Sequence, residues 1–381
     1  MTGGPHGPGA ATTVEGYRSP LLDRHGAVAG SGPDAGVAWH YGEPVAEQRA
    51  LARGAAVVDL SHTGVVRVAG PDRLGWLNSI TSQLLLDLPP HVSTETLVLS
   101  PQGRVEHAAA VVDDGEATWL ITETASALAA WLERMRFMMQ VEISDETANL
   151  AVLGEAVRAE SVPGEPMAWS DPWPRTLPGG TRYGLPDDEH PGADRPWRLV
   201  LVPRGDLVTS VAEREDAGWT LAGTWASEAL RVAAWRPRAV TEVDAKTIPH
   251  ELDWLRTAVH LHKGCYRGQE TIARVHNLGR PPRRLVQLHL DGSDVVLPEP
   301  GADVVLDERV VGQVTSVARH HEDGPVALAV VKRSVPLDAP LGVVAEEGPV
   351  AAAQEEIVSG EGVSPDRPAP RPPLARGLHP R

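Results

Sequence analysis

At 381 residues, with 42% hydrophobic and 23% charged residues, the chain is long enough for two or three compact units and has the make-up of a folded, soluble protein. No apolar run approaches the ~18 residues a membrane-spanning helix needs, and a formal charge of -16 excludes a surface built for nonspecific nucleic-acid binding. One cysteine, Cys265, excludes an internal disulfide and a complete protein-borne zinc or iron-sulfur site, and is compatible with a reducing compartment.

In chain order, residues 1–36 are rich in Gly, Pro and Ala, carry neither a charged nor an apolar leader region, and read as a disordered tail. A cytoplasmic location is the expectation. Val57–Ser61 and Gly64–Gly70 are β-branched runs between Gly punctuation and read as paired strands, followed by a helix over Pro71–Ile80. Strands are predicted at Thr96–Leu99, Val105–Val112 and Thr118–Thr122, and a helix over Ala125–Met139. The first unit, 37–150, is therefore α+β.

A strand pair is predicted over Val141–Val152, and a second unit, 151–282, opens on a Pro- and Gly-crowded excursion at Ser161–Pro196. It continues with a strand at Arg198–Val202 and helices at Asp206–Ala217 and about Thr224–Trp235. Short β-branched segments at Leu285–Leu290, Asp303–Leu306, Val310–Ser316 and Val326–Val331 predict a small antiparallel barrel or sandwich over 283–350. Residues 351–381 read as a second disordered, Pro-rich tail.

The segment with chemical potential is Lys263-Gly264-Cys265-Tyr266-Arg267-Gly268-Gln269-Glu270-Thr271. Glycines flank the thiol, and a helical stretch begins at Gln269, so Cys265 lies near a helix N-terminus, where the dipole and the charge of Lys263 favour thiolate. The alternative is a small residue buried in a tight turn. His250, His260, His262 and His276 surround the cysteine in sequence, in a spacing that matches no standard zinc pattern. Arg274, Arg280, Arg283 and Arg284 form a basic cluster, read first as solvated arginines and second as a phosphate or RNA contact. Phosphate-loop, dinucleotide, H-E-x-x-H and G-x-S-x-G patterns do not occur.

Taken with Lys246-Thr247-Ile248-Pro249-His250-Glu251-Leu252 and Ala273–Gly279, this segment resembles the signature region of the YgfZ family. Asp59-Leu60-Ser61, Pro101–Val105 and Gly312–Ser316 resemble the same family and its relative, the glycine-cleavage T-protein GcvT. The resemblance implies two related α/β units of antiparallel sheet and helices around a central folate cavity, with a C-terminal β-barrel. It implies tetrahydrofolate as cofactor, a part in iron-sulfur cluster assembly or repair, and iron-sulfur client enzymes as partners, with no membrane and no direct nucleic-acid contact. Cys265 maps onto the family's functional cysteine, with Lys263, Tyr266, Gln269 and Glu270 as its supports. Arg231, Gln102 and Glu106 are the residues expected at the cofactor, Glu106 standing near the place of the T-protein's paired aspartates. Those aspartates are missing, and no acid stands at Trp197–Val200, where the T-protein's pterin-gripping glutamate would fall. A folate-dependent aminomethyltransferase is therefore the second reading, and a docking loop beside a vestigial cavity the third.

Overall fold

The computed structural model describes residues 16–157, 167–291, 297–346 and 348–369. In chain order the elements begin with β1 (Val28–Ala29), β2 (Ala38–His40), α1 (Pro44–Ala52), β3 (Ala56–Asp59), β4 (Gly64–Ala69) and α2 (Arg73–Ile80). Next come β5 (Ser93–Leu99), β6 (Val105–Asp113), β7 (Ala117–Thr122), α3 (Ala125–Met135), β8 (Glu142–Asp145) and β9 (Leu150–Glu155). The middle holds β10 (Ala168–Ser170), β11 (Arg198–Pro203), α4 (Leu207–Asp216), β12 (Thr220–Ala222), α5 (Thr224–Ala233), α6 (Ala239–Glu242) and α7 (Gln269–Asn277). The last elements are β13 (Arg283–Leu290), β14 (Asp303–Leu306), β15 (Arg309–His320), β16 (Gly324–Lys332), β17 (Leu341–Ala345) and β18 (Gly348–Glu356).

These build two five-stranded sheets, in the orders β5-β6-β7-β4-β8 and β10-β11-β9-β3-β12, and a closed six-stranded barrel, β13-β16-β15-β14-β17-β18. The α+β expectation holds, and the barrel-or-sandwich alternative resolves to the barrel. The predicted hairpin of Val57–Ser61 with Gly64–Gly70 does not form. β3 pairs antiparallel with β9 and parallel with β12, whereas β4 pairs with β7 and β8. All four residues of β3 are buried, as a strand inside a sheet requires, and the turn at Leu60–Thr63 sends the chain from one sheet to the other. The expected pair over Val141–Val152 separates the same way, β8 joining the first sheet and β9 the second. A boundary at residue 150 is therefore crossed by β3, and the two sheets interlock.

α3 buries Ala125, Leu128, Trp131 and Leu132, the i, i+3, i+6, i+7 stripe of one helix face. It stops at Met135, short of the expected Met139, because Phe137 takes a left-handed φ of 46° that a helix cannot continue through. α5 is buried nearly all round: Ala226 and Leu230 pack on the second sheet's core, and Ala229 and Val232 on the core shared with the barrel. It is the wedge that joins the body to the barrel.

The ends depart from the disordered tails expected of them. Leu21 is 1% exposed in the core with Val57 and Leu153, and the Ser19 hydroxyl donates to Asp59 at 2.5 Å. At the other end β18 closes the barrel, with Val350 and Ala352 turned inward, and Ile357 and Val358 are fully buried. Small apolar residues at period two are a strand pattern that overall composition hides. Residues 1–15 and 370–381 of those tails lie outside the described residues, as do 161–166 of the Pro-crowded excursion. No helix among the described residues is long and apolar enough to cross a membrane.

Candidate functional site

Between the two sheets and α5 lies a cavity of about 190 Å³. Trp169, Trp197 and Trp254 supply apolar wall, and Glu95, Asp171, Glu228 and four arginines supply charge. Three of those arginines hold close ion pairs. Arg231, on α5, meets Glu228 at 2.9 Å, Glu242 at 3.0 Å and the Ser316 hydroxyl at 2.7 Å, so it ties the cavity wall to the barrel. Arg236 meets Glu95 at 2.7 Å and Asp171 at 3.1 Å. Arg238 joins Asp34 at 2.8 Å, Glu123 at 2.5 Å and Glu228 at 3.3 Å. Burial opposes the charge on Asp34, but Arg238 and then His62 outweigh it and hold the carboxyl well below the usual range.

Arg195 differs. Its nearest carboxylate, on Asp171, is 3.7 Å away, and its guanidinium lies 4.6 Å over the Trp197 ring. Burial draws it down to about 10, with Asp171 only partly opposing. Arg195 Nε, Arg236 Nη1 and His62 Nδ1, all on cavity-lining side chains, are buried without a hydrogen-bond partner. Unpaired buried polar atoms cost about 1–3 kcal/mol each, and a ligand with complementary polar groups would offset that cost here. A larger groove, about 1080 Å³, runs between α6 and the barrel, and Asp34, Glu228 and Arg238 line both spaces.

The cysteine segment lies elsewhere. Gly268 precedes α7 at φ 84°, where a Cβ would stand 2.6 Å from the Ser100 carbonyl oxygen, so only glycine lets the segment approach the turn at Ser100–Arg104. Cys265 is exposed. Lys263 is not, and its ammonium donates to the carbonyls of Asn78, Thr81 and Gln83 at 2.5, 2.8 and 2.5 Å. The expectation that Lys263 charges the thiol's surroundings gives way to an anchoring role, because all three of its protons go to backbone oxygens at the end of α2. Tyr266 is buried, with its ring 5.2 Å from the lysine nitrogen, and burial pushes its phenol up.

Burial pushes Lys263 down to about 7. Below that value both folded and unfolded states carry the proton and the burial cost is felt in full. Between there and the ordinary 10.5 only the unfolded state keeps it, so stability rises with pH. Wild type is therefore expected to gain stability relative to Lys263→Met as pH climbs through that window, read as guanidinium midpoints; parallel pH profiles would contradict it.

The GCVT N-terminal domain family model matches residues 20–159, and the glycine cleavage T-protein C-terminal barrel domain model matches residues 283–356. The chain is GcvT-like. A putative transferase of Arabidopsis thaliana, At1g60990, chloroplastic, is 28% identical over 279 residues, which cover 70% of this chain and 62% of that relative, so the match spans less than two thirds of it. The iron-sulfur cluster assembly factor IBA57, mitochondrial, of Mus musculus is 27% identical over 368 residues, 89% of this chain and 90% of that one. The aminomethyltransferase of Streptomyces coelicolor is 27% identical over 311 residues, 76% and 82% of the two chains. The crystal structure of aminomethyltransferase T from Bartonella henselae superposes with a TM-score of 0.70 at 18% identity, covering 90% of this chain and 97% of that one, a likeness of fold.

In this GcvT-like chain the residues singled out from sequence fall into two groups. Arg231 lines the cavity. Cys265, Lys263, Tyr266, Gln269 and Glu270 lie on or beside the first turn of α7, and Gln102 and Glu106, expected at the cofactor, lie with them and not among the cavity-lining residues. Glu106 accepts from Arg267 at 2.8 Å, and Gly103 packs against Thr271. Sequence reasoning missed His62, Glu95, Asp171, Arg195, Arg236 and Arg238, which sit far apart in the chain. The one local signal is arginine beside tryptophan, in Arg195-Pro196-Trp197 and Trp235-Arg236-Pro237-Arg238.

Proposed function

We propose that this GcvT-like chain binds tetrahydrofolate in its central cavity and serves as an accessory factor in iron-sulfur cluster assembly or repair, with the Cys265 segment facing the client. The observation that carries the reading is the set of unpartnered polar atoms, guanidinium donors on Arg195 and Arg236 and a ring nitrogen of His62, around a tryptophan-walled cavity. At about 190 Å³ that cavity suits a fused ring rather than a whole folate, since drug-sized ligands fill roughly 300–1,000 Å³. The adjoining groove offers room for the remainder once the Arg238 ion pairs shift.

Several features favour an accessory role over aminomethyl transfer. Transfer chemistry needs a carboxylate within hydrogen-bond reach of the migrating carbon. Glu106 is tied to Arg267 outside the cavity, and Glu95, Asp171 and Glu228 each pair with an arginine. Cys265 is exposed, so it faces partners, and a single thiolate holding a cluster in transit needs co-ligands from the partner. The relative named as an iron-sulfur cluster assembly factor spans nine tenths of both chains.

Calorimetric titration with tetrahydrofolate is expected to show saturable binding, with quenching of tryptophan fluorescence from Trp169, Trp197 and Trp254. Absence of both heat and quenching would sink the reading and favour a docking protein with a vestigial cavity.

A further inference from the structure

The segment around α7 is richer in cations than the molecule as a whole. From His260 to Arg284 the sequence holds six Lys or Arg against one acid, Glu270, in a chain of formal charge -16. Folding sorts these cations. Lys263 is spent on carbonyls, Arg283 on Asp244 and Glu251, Arg284 is fully buried, and Arg267 is held by Glu106. Arg274 and Arg280 remain exposed. Arg104 joins them, exposed on the turn that Gly103 presses against Thr271. Arg367 arrives from the C-terminal segment and caps α7, donating to the carbonyls of Asn277 and Gly279 at 3.0 Å each.

One exposed apolar side chain adjoins these cations, and two more lie in the loop that holds Lys263. Leu278, at the end of α7, is 84% exposed, and Leu84 and Leu86 are 43% and 52% exposed in the loop whose Gln83 carbonyl holds Lys263. Ile272 and His276 form the buried side of the helix, while Glu270, Arg274, Asn277 and Leu278 make one outward stripe at i, i+4, i+7 and i+8. Exposed leucines with arginines on the same segment fit a protein surface better than a single-stranded nucleic acid, which needs exposed aromatic rings for base stacking. The aromatic residue of this segment, Tyr266, is 7% exposed.

We propose that this face of α7, with the Ser100–Arg104 turn and Leu84 at its cysteine end, docks a protein surface carrying carboxylates around an apolar patch. The proposal rests on the reading of the Cys265 segment as client-facing and adds the chemistry of the client. Nine helical residues span only about 14 Å, so the contact is of the small, transient kind in which charge sets the on-rate.

The test uses Cys265 as reporter, since it is the only cysteine in the chain. Two probe peptides of Leu with either Asp/Glu or Lys carry one cysteine as a mixed disulfide with thionitrobenzoate. The Cys265 thiolate attacks the peptide sulfur, a protein–peptide disulfide forms, and thionitrobenzoate leaves with the electron pair and is read by its colour. At low salt the acidic probe is expected to react at least about 5-fold faster than the basic one, and the gap to close towards 1 M salt as the screening length falls to about 3 Å.

In the Arg274→Glu/Arg280→Glu double variant the preference is expected to vanish or reverse, and Leu278→Ser to slow the acidic probe alone. Equal rates for the two wild-type probes, or a preference untouched in the double variant, would overturn the proposal. So would a fluorescent single-stranded RNA that binds this face and is lost in the double variant while the peptide preference stays. Tetrahydrofolate titration of the same variant separates the two ideas: lost charge preference with folate binding intact defeats only the docking proposal, and no folate binding in wild type defeats only the cavity reading.

Discussion

Arg195→Gln is expected to weaken tetrahydrofolate binding by about 10- to 100-fold while leaving the empty protein as stable as wild type or more so. A charge-assisted hydrogen bond contributes about 1.5–3 kcal/mol, and 1.4 kcal/mol is a factor of ten, which sets the range. The stability half follows from the poor pairing of this cation, whose only ion-pair contact is Asp171 at 3.7 Å and whose Nε has no partner. Replacing such a group by a neutral one relieves a desolvation penalty, and Asp171 keeps Arg236 at 3.1 Å. Arg236, by contrast, cannot serve as the probe, because its loss strands Glu95 and Asp171 together. Calorimetric affinities and urea midpoints of the variant check both halves. An affinity within about 2-fold of wild type would remove Arg195 from the ligand site, and a large loss of stability would mark it as structural.

Cys265→Ala is expected to abolish the protein's support of an iron-sulfur client enzyme in cells while leaving tetrahydrofolate affinity unchanged. The side chain is exposed and absent from the cavity lining, so its removal should move stability by no more than about 0.5 kcal/mol. Client activity should fall to the level of cells lacking the protein, and Cys265→Ser should do the same, because a hydroxyl at neutral pH offers no thiolate. Unchanged client activity would end the thiol hypothesis. Lost folate binding would show that the cysteine segment and the cavity form one site, against the geometry of the two.

The separation of these two sites is what the linear chain concealed. Gln102 lies in the Ser100–Arg104 turn of the first unit and Glu106 just after it, a natural place for a cofactor contact, yet Gly103 and Gly268 bring that turn against α7 and Glu106 accepts from Arg267. Lys263 beside Cys265 suggested a charge for the thiol, and only the fold shows its protons going to Asn78, Thr81 and Gln83. Conversely, the position of Cys265 before a helix that begins at Gln269 and the barrel strands were legible, since each depends on neighbours in sequence.

By itself, then, the sequence determined the α+β class, the run of strands that becomes a barrel, and the one segment whose residue types and spacing point to thiol chemistry. Local propensity and periodicity are properties of a few consecutive residues, and they survive into the folded state. The tertiary structure decided the crossing of β3 into the second sheet, the packing of residues 16–36 and 351–369, and the cavity itself. His62, Glu95, Asp171, Arg195, Arg236 and Arg238 meet only because two sheets and α5 close around them. Long-range pairing chooses which buried charges find partners and which are left without one, and no window of sequence contains that choice.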